Sequence, residues 1–140
     1  MRLLLEEQRV GEAVERLEAL LNESPDDREL NQLYGATLLA VGEASQAIWP
    51  LLKVVESADS GPEDHLMLAR AHLVGGSPSD AIAVIDRLLE QTPDILEAYQ
   101  LRIEANQALN QLEKALEDVE YVLRHRAWRS TWREGSTRRT

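Results

Sequence analysis

The feature that most constrains this chain is a column of alanines that recurs at one constant interval. The column consists of Ala13, Ala47, Ala81 and Ala115. Four further apolar columns recur at the same interval and begin at Val14, Leu17, Leu20 and Leu21. Within each copy the spacing i, i+1, i+4, i+7, i+8 forms one stripe of a 3.6-residue helix. The pattern predicts one amphipathic helix written four times.

A second helical segment precedes the stripe in the later copies, as in "RELNQLYGATLLAVG" and "PEDHLMLARAHLVGG". Leu33, Met67 and Leu101 share a column in this segment. Three residues coincide where the first helix must turn into the second: Gly42, Gly76 and Asn110. Glycine and asparagine adopt the left-handed conformation of a helix terminus at low cost. Each period is therefore expected to hold a pair of helices.

Local signals suggest where helices begin. Asp26 with Glu29 and Asp94 with Glu97 have capping-box spacing, Pro62 suits a first turn and Ser79 suits an N-cap. Trp49-Pro50 interrupts the second helix of one copy, and the proline is expected to kink the helix or shift its start. The two interpretations are a functional bend and a tolerated irregularity near the N-terminal turn, of which the second is favoured.

Composition agrees with an all-helical globular chain. Hydrophobic residues make up 44% and charged residues 29%, and Ala, Leu, Glu, Gln and Arg dominate. The lack of cysteine excludes disulfides and thiolate metal sites; it favours the reducing cytoplasm and is also compatible with a periplasm. No apolar run reaches the roughly 18 residues of a membrane span. The opening "MRLLLEEQ" is too short for the apolar core of a signal peptide.

A 34-residue period with a helix pair per period resembles the tetratricopeptide repeat (TPR) family. The family's alanine is present in all four copies, and its terminal proline is matched by Pro25 and Pro93. Tyr34-Gly35 and Leu68-Ala69 resemble its small-residue helix contact, whereas Arg102-Ile103 is bulkier. The resemblance implies an all-α, right-handed superhelix (α-solenoid) of antiparallel helix pairs.

The resemblance covers residues 1–127, and the predicted units are a partial repeat at 1–27 and repeats at 28–61, 62–95 and 96–127. The partial repeat is expected to keep its second helix but only two turns of its first helix, Met1 to Gln8. Because a repeat buries its stripe against its neighbours, Leu3, Leu4 and Leu5 would be uncovered. Either the chain belongs to a longer array or another surface covers this end.

The resemblance also implies a ligand-binding concave wall, formed mainly by the first helix of each pair. The implied wall residues are Glu29, Gln32, Ala36, Leu39, Glu63, Leu66, Arg70, Leu73, Glu97, Gln100, Glu104 and Gln107. Some TPR proteins grip the C-terminal carboxylates of heat-shock chaperones with Lys, Asn and Arg at such positions. This chain has Arg70 as its one cation there, so a carboxylate clamp is not expected.

The predicted function is a non-catalytic protein-interaction module that binds a basic or amphipathic peptide on the concave face. The alternatives are a self-assembly or scaffold segment, a regulatory or recruitment arm of a larger enzyme, and a spacer whose wall is merely solvated. If the chain assembles with copies of itself into a homo-oligomer, the expected interface is the partial repeat or the C-terminal tail.

The residues give no support for catalysis or for a cofactor. We find no nucleophile–base–orienter set and no glycine-rich phosphate loop after a strand. His65 and His72 lie on one helical face with Asp64 beside the first, so a metal site is conceivable. However, both histidines occupy columns where the family places aromatic rings, and no third ligand is evident. We therefore expect packing roles and no bound metal.

Charge is distributed unevenly along the chain. Residues 1–123 hold 9 Lys and Arg against 24 Asp and Glu, while residues 124–140 hold six Arg against Glu134. The predicted tail at 128–140 is basic, contains Trp128 and Trp132, and is expected to be partly disordered. It could bind nucleic acid, but the acidic body argues against that. It could lie on an acidic groove of its own or a neighbouring chain, with both tryptophans as anchors, or simply extend the last helix.

Overall fold

The computed structural model describes the backbone of residues 2–137 and the side chains of residues 8–125. Within this part of the chain the structure contains seven α-helices and no strand. The helices are α1 Arg2–Glu23, α2 Arg28–Ala40, α3 Ala44–Glu56, α4 Pro62–Val74, α5 Pro78–Gln91, α6 Leu96–Ala108 and α7 Leu112–Thr137. The predicted all-α fold is confirmed.

The helix starts follow the period of the sequence. We call α2, α4 and α6 the A helices; their starts are one period apart, and each has 13 residues. We call α1, α3, α5 and α7 the B helices, and the last three of them also start one period apart. Each A helix packs against the B helix that follows it, and each B helix packs against the next A helix. Successive A helices also touch, as α2 does α4 and α4 does α6. Contacts confined to the same or the adjacent helix pair define a helical solenoid.

The three A–B turns have the backbone conformation that the sequence predicts. Gly42 and Gly76 have φ of 86°, and Asn110 has φ of 58°. In each turn the next residue donates its N–H across the helix end, as from Glu43 to the Leu38 carbonyl at 2.8 Å. This is the Schellman arrangement, which satisfies the last carbonyls of the A helix. The prediction for these three positions is confirmed.

The core consists of two apolar clusters, and each joins neighbouring helix pairs. The first contains Leu38, Ala47, Leu51, Leu68 and Ala71. The second contains Leu66, Ala69, Ile85, Leu88, Ala98 and Leu101. Within a pair, a Cβ atom placed on Gly35 would lie 2.6 Å from Cδ2 of Leu51, so α2 and α3 approach too closely for a larger residue. Burial therefore depends on the neighbouring helix pair, as the repeat pattern predicts.

The N-terminal end of the stack leaves part of this pattern uncovered. Ala47 and Ala81 are fully buried, whereas Ala13 in the same column is exposed. Leu33 is 55% exposed, whereas Leu101 is only 5% exposed. The reason is that α1 is a B helix with no A helix packed before it in the described chain. The resulting open surface, which includes Leu20 and Leu33, is called the N-terminal end face.

The sequence predicts a short first helix, Met1 to Gln8, followed by a separate second helix. This prediction is wrong. One continuous helix runs from Arg2 to Glu23, through Gly11. A glycine in an exposed helix interior costs only about 1 kcal/mol, which the flanking helix formers can offset. The side chains of Leu3, Leu4 and Leu5, which we expected to form an uncovered surface, lie outside the described residues.

Three predicted N-caps are displaced. The side chain of Asp27, not Asp26, accepts a hydrogen bond from the Leu30 N–H at 3.1 Å. The cap of α5 is Ser77, not Ser79, because Pro78 lacks an N–H and occupies the first turn. Ile95 occupies the cap position of α6 and makes no side-chain hydrogen bond, so Asp94 does not cap it. Pro62 begins α4 as predicted.

Pro50 does not shift the start of α3, which begins at Ala44 and continues to Glu56. The proline is buried in the middle of this helix. It removes one backbone donor, and packing against the neighbouring helices holds the helix together. The predicted shift of the helix start is wrong, and Pro50 lies in the middle of α3 and not near its N-terminal turn.

Candidate interaction surfaces

The A-helix face, defined as the twelve residues implied for the concave wall, is mainly polar where it is exposed. Its charged members are all exposed: Glu29, Glu63, Arg70, Glu97 and Glu104. Gln100 and Gln107 are also exposed, and Gln32, Ala36, Leu39 and Leu73 are half-buried. The face therefore presents four carboxylates against one guanidinium, with limited apolar area between them.

Leu66 differs from the other members of this face. It is only 7% exposed and packs in the core cluster that contains Ile85 and Leu101. Its neighbour along the helix face, Leu73, is half-buried against the same cluster. Because Leu66 is already covered by protein, it supports the wall from beneath and offers little surface to a ligand.

Arg70 is paired across the repeat boundary. Its Nη2 atom donates to Oε1 of Glu97 at 2.6 Å, and both side chains are about half exposed. The pair neutralises the one cation of the A-helix face and links α4 to α6. Within the described residues, Glu29, Glu63 and Glu104 have no ion-pair partner, so the face keeps a negative potential.

A buried carboxylate links α4 to α2. Asp64 is 4% exposed and accepts hydrogen bonds from Arg28 Nη2 at 3.0 Å and Gln32 Nε2 at 3.1 Å. It also accepts from the Gly61 N–H at 3.0 Å, which satisfies one free donor at the start of α4. Gln32 is thus engaged between repeats. Sequence analysis did not identify this group, although Asp64 stands in a column whose next member, Ala98, is fully buried.

A second buried pair lies on the side of α6 that faces α7. Arg102 donates to Asp118 twice, from Nε and Nη2 at 2.7 Å each, and to Asp86 from Nη1 at 2.9 Å. Hydrogen bonding to Asp118 raises the pKa of Arg102, against the lowering effect of burial. The preceding copy has Leu68 and Val84 at these two positions, packed in an apolar cluster. An ion pair therefore replaces an apolar contact. The sequence signal that could have revealed it is that both columns change from apolar to charged residues in the same copy, with opposite charges.

Aromatic side chains cluster away from the A-helix face. Tyr99 and Tyr121 stack with ring centroids 4.1 Å apart, and His125 stacks on Tyr121 at 4.0 Å. Trp49 is 70% exposed, and Lys53 Nζ lies 5.9 Å from its ring centroid. Large exposed aromatic groups are frequent at protein interfaces, but these groups are not members of the predicted wall.

His65 and His72 both lie on α4. Among the described residues no group of three or more His, Asp or Glu side chains is arranged to hold a metal ion. His65 Nδ1 lies 3.0 Å from the Gly61 carbonyl oxygen, and His72 Nδ1 is buried without a hydrogen-bond partner. Both rings are half-buried in α4, as expected for packing residues.

The basic C-terminal segment continues the last B helix. The backbone of α7 is helical from Leu112 to Thr137, so the helix extends beyond Arg126. The side chains of Trp128 and Trp132, predicted as anchors, lie outside the described residues, and residues 138–140 are not described at all.

No helix in the described part of the chain combines the length and apolar character needed to cross a membrane. The tetratricopeptide repeat family model matches residues 62–105. The curated proteins contain no significant match. Similar solved structures are those of MamA, a TPR-like protein.

A structure entitled MamA MSR-1 is 21% identical and has a TM-score of 0.77, over 88% of this chain and 72% of the other. The chain of MamA residues 41 to the end, from Desulfovibrio magneticus RS-1, is 19% identical with a TM-score of 0.75, over 86% and 68%. A third, MamA AMB-1, is 21% identical with a TM-score of 0.75, over 84% and 70%. At this identity the likeness concerns the fold. The resemblance to the tetratricopeptide repeat is therefore confirmed, and the chain has the fold of a TPR-like helical solenoid.

Proposed function

We propose that this chain is a non-catalytic protein-interaction module that captures a basic or amphipathic peptide on the concave side of its solenoid. The fold supports a role in protein–protein interaction or as a scaffold. The peptide, the concave site and the absence of catalysis are the proposed parts. The observation that carries the proposal is the charge of the A-helix face, where four exposed glutamates accompany one arginine that is already paired.

The recognition would be electrostatic at first and apolar second. Glu29, Glu63 and Glu104 lie on three successive A helices, so an extended or helical peptide with Lys or Arg could contact several repeats together. The half-buried Leu39 and Leu73 offer apolar contacts between the charges. The same negative potential would repel phosphate, so the proposed partner is protein and not nucleic acid.

The test is a binding titration with a synthetic amphipathic peptide of Leu, Ala, Lys and Arg, followed by fluorescence anisotropy. The variant is Glu63→Lys/Glu104→Lys, which reverses two exposed charges on the A-helix face. The charge-matched control is Glu90→Lys/Glu120→Lys, which reverses two exposed charges on B helices. We expect the first variant to weaken binding by about tenfold or more and the control to have a small effect. Equal binding by all three proteins would refute the concave site.

Self-assembly or scaffolding is the second candidate, and the exposed ends of the stack favour it. Leu112, Leu116 and Leu123 on α7 are each more than half exposed. In the preceding copy the equivalents of the last two, Ile82 and Leu89, are half-buried. Substituting Leu116 and Leu123 with Gln should lower any self-association seen by sedimentation if this C-terminal end face mediates it. Unchanged association would remove the face from consideration.

A further inference from the structure

An open groove lies at the A–B turn end of the first two helices. It is formed by the middle of α1, by the end of α2 and by the turn that leads into α3, and it has a volume of about 730 Å³. Its apolar floor includes Val10, Val14 and Val41, and its charged lining residues are Glu15, Glu18 and Glu43. Since no Lys or Arg lines it, the groove combines an apolar floor with an acidic rim. We call it the N-terminal groove.

The groove has a local cause in the repeat. Val41 and Gly11 line it, and one period later their positions are taken by Gly75 and Ser45. In that copy the two positions are in contact, because a Cβ atom placed on Gly75 would lie 3.5 Å from Ser45 Oγ. In the first copy a Cβ placed on Gly11 meets nothing within 4 Å, and Val41 stays 42% exposed. The space between α1 and the α2–α3 turn is therefore open, whereas the equivalent space between α3 and the α4–α5 turn is filled.

The chain contains a segment of complementary chemistry. Residues 124–140 hold six Arg, one Glu and two Trp, and the two Trp are four positions apart. The helix α7 has 26 residues, whereas the other A and B helices after α1 have 13 or 14. Its last turns therefore extend about 20 Å past the length of its partner α6. We call residues 124–137 the C-terminal arm.

The arm cannot reach the groove of its own chain. The groove lies beside the A–B turns, and α7 begins at such a turn and runs away from it for about 39 Å. The groove also belongs to the first helices of the stack, while the arm belongs to the last. A contact between them requires two molecules.

We propose that the N-terminal groove binds the C-terminal arm of a second copy of this chain. The apolar floor would receive Trp128 and Trp132, and the glutamates of the rim would pair with arginines of the arm. Because the groove and the arm lie on different parts of the surface, the contact is heterologous and can extend into a ring or an open row of molecules. This assembly surface is separate from the A-helix face of the proposed peptide site.

The test is sedimentation velocity of the full chain over a range of concentrations, at about 50 mM and about 500 mM salt. The groove variant is Glu15→Lys/Glu43→Lys and the arm variant is Arg129→Glu/Arg133→Glu. We expect the wild-type protein to associate at low salt and each variant to associate about tenfold more weakly. An equimolar mixture of the two variants should recover association, because opposite charges again face each other. Circular dichroism checks that each variant is folded.

Two controls separate this proposal from others. Glu63→Lys/Glu104→Lys makes the same charge change on the A-helix face and should associate like the wild-type protein. Trp128→Ala/Trp132→Ala should weaken association without any change in charge. A wild-type protein that stays monomeric at low salt would overturn the proposal. So would a groove variant that associates normally while the A-helix-face variant does not, since the arm would then occupy the concave site.

Discussion

Arg102 and Asp118 form a two-bonded ion pair between α6 and α7 at positions where the preceding repeat has Leu68 and Val84. Both hydrogen bonds measure 2.7 Å, and the side chain of Asp118 is 8% exposed. Removing Arg102 leaves Asp118 with a desolvated charge, whereas removing Asp118 leaves Arg102 with its exposed partner Asp86. The pair therefore holds the last helix pair together as long as both members are present.

Changing Asp118 to Ala should lower the free energy of unfolding by about 2 kcal/mol, since Arg102 stays partly exposed and can recover some hydration. The double variant Arg102→Leu/Asp118→Val restores the residues of the preceding repeat and should recover most of the loss. Urea unfolding followed by circular dichroism measures both. The matched control is Arg70→Ala, which removes the exposed pair with Glu97 and should cost at most about 0.5 kcal/mol. A similar cost for Asp118→Ala would contradict the importance given to burial.

Changing Gly35 to Ala should destabilise the fold by about 1–3 kcal/mol, because the new Cβ would meet Cγ and Cδ2 of Leu51 at 2.7 and 2.6 Å. Gly11→Ala, within α1, is the contrasting change, because a Cβ atom placed there would meet nothing within 4 Å. That change should stabilise the fold by about 0.5–1 kcal/mol through helix propensity. Thermal unfolding of the two variants gives opposite shifts if this contact is as close as the structure shows. Shifts of the same sign would argue against it.

Changing Leu101 to Ala should cost about 2–4 kcal/mol, because this α6 side chain is buried in the core cluster that α4, α5 and α6 form. Leu33→Ala, in the same column, should cost less than about 1 kcal/mol, because more than half of that side chain is exposed. Urea midpoints of the two variants test whether the N-terminal end face is open in solution. Equal costs would mean that another surface covers Leu33.

Alkaline pH should destabilise the fold, and two tyrosines contribute. Burial, followed by the hydrogen bond to Glu18, raises the pKa of Tyr34 above its ordinary value of 10.0. Burial, followed by the neighbouring Tyr121 hydroxyl, raises the pKa of Tyr99 in the same direction. A raised folded-state pKa favours the neutral phenol, so this stability is complete below pH 10 and is lost as the pH rises towards the folded pKa.

The measurement is the thermal midpoint as a function of pH. Tyr34→Phe/Tyr99→Phe should show a shallower fall in the midpoint above pH 10 than the wild-type protein does. Ultraviolet absorbance of the folded protein should show these two phenols ionising later than free tyrosine. An identical fall in both proteins would assign the alkaline loss to other groups.

The helix pairs could be predicted from the sequence because apolar columns report burial directly. A residue such as Ala47 or Ile85 must be apolar in every copy, and Gly42 must allow a positive φ wherever an A helix turns into a B helix. These demands come from local backbone geometry and from neighbours at a fixed offset. Both demands recur once in every repeat period, so the period was sufficient to predict the helix pairs.

The departures arose where a single copy differs from its neighbours. The exposure of Ala13 depends on which helix precedes it, and no column shows that. Asp64 and Arg102 are charged residues whose partners lie on other helices, so their roles become visible only when the helices are packed. The resemblance to the TPR family implies a place for Leu66 in the binding wall, although the residue is buried in the core cluster. Helix starts were displaced by one or two residues because adjacent acids and serines compete for the same cap.

The measurement that tests the functional account most directly is nuclear magnetic resonance of the labelled chain during titration with the basic amphipathic peptide. The account predicts that backbone amide shifts concentrate on α2, α4 and α6, around Glu29, Glu63, Glu97 and Glu104. It also predicts that the peptide with Lys and Arg replaced by Glu produces no such shifts. Shifts that concentrate instead on α3, α5 and α7, or that are the same for both peptides, would contradict it.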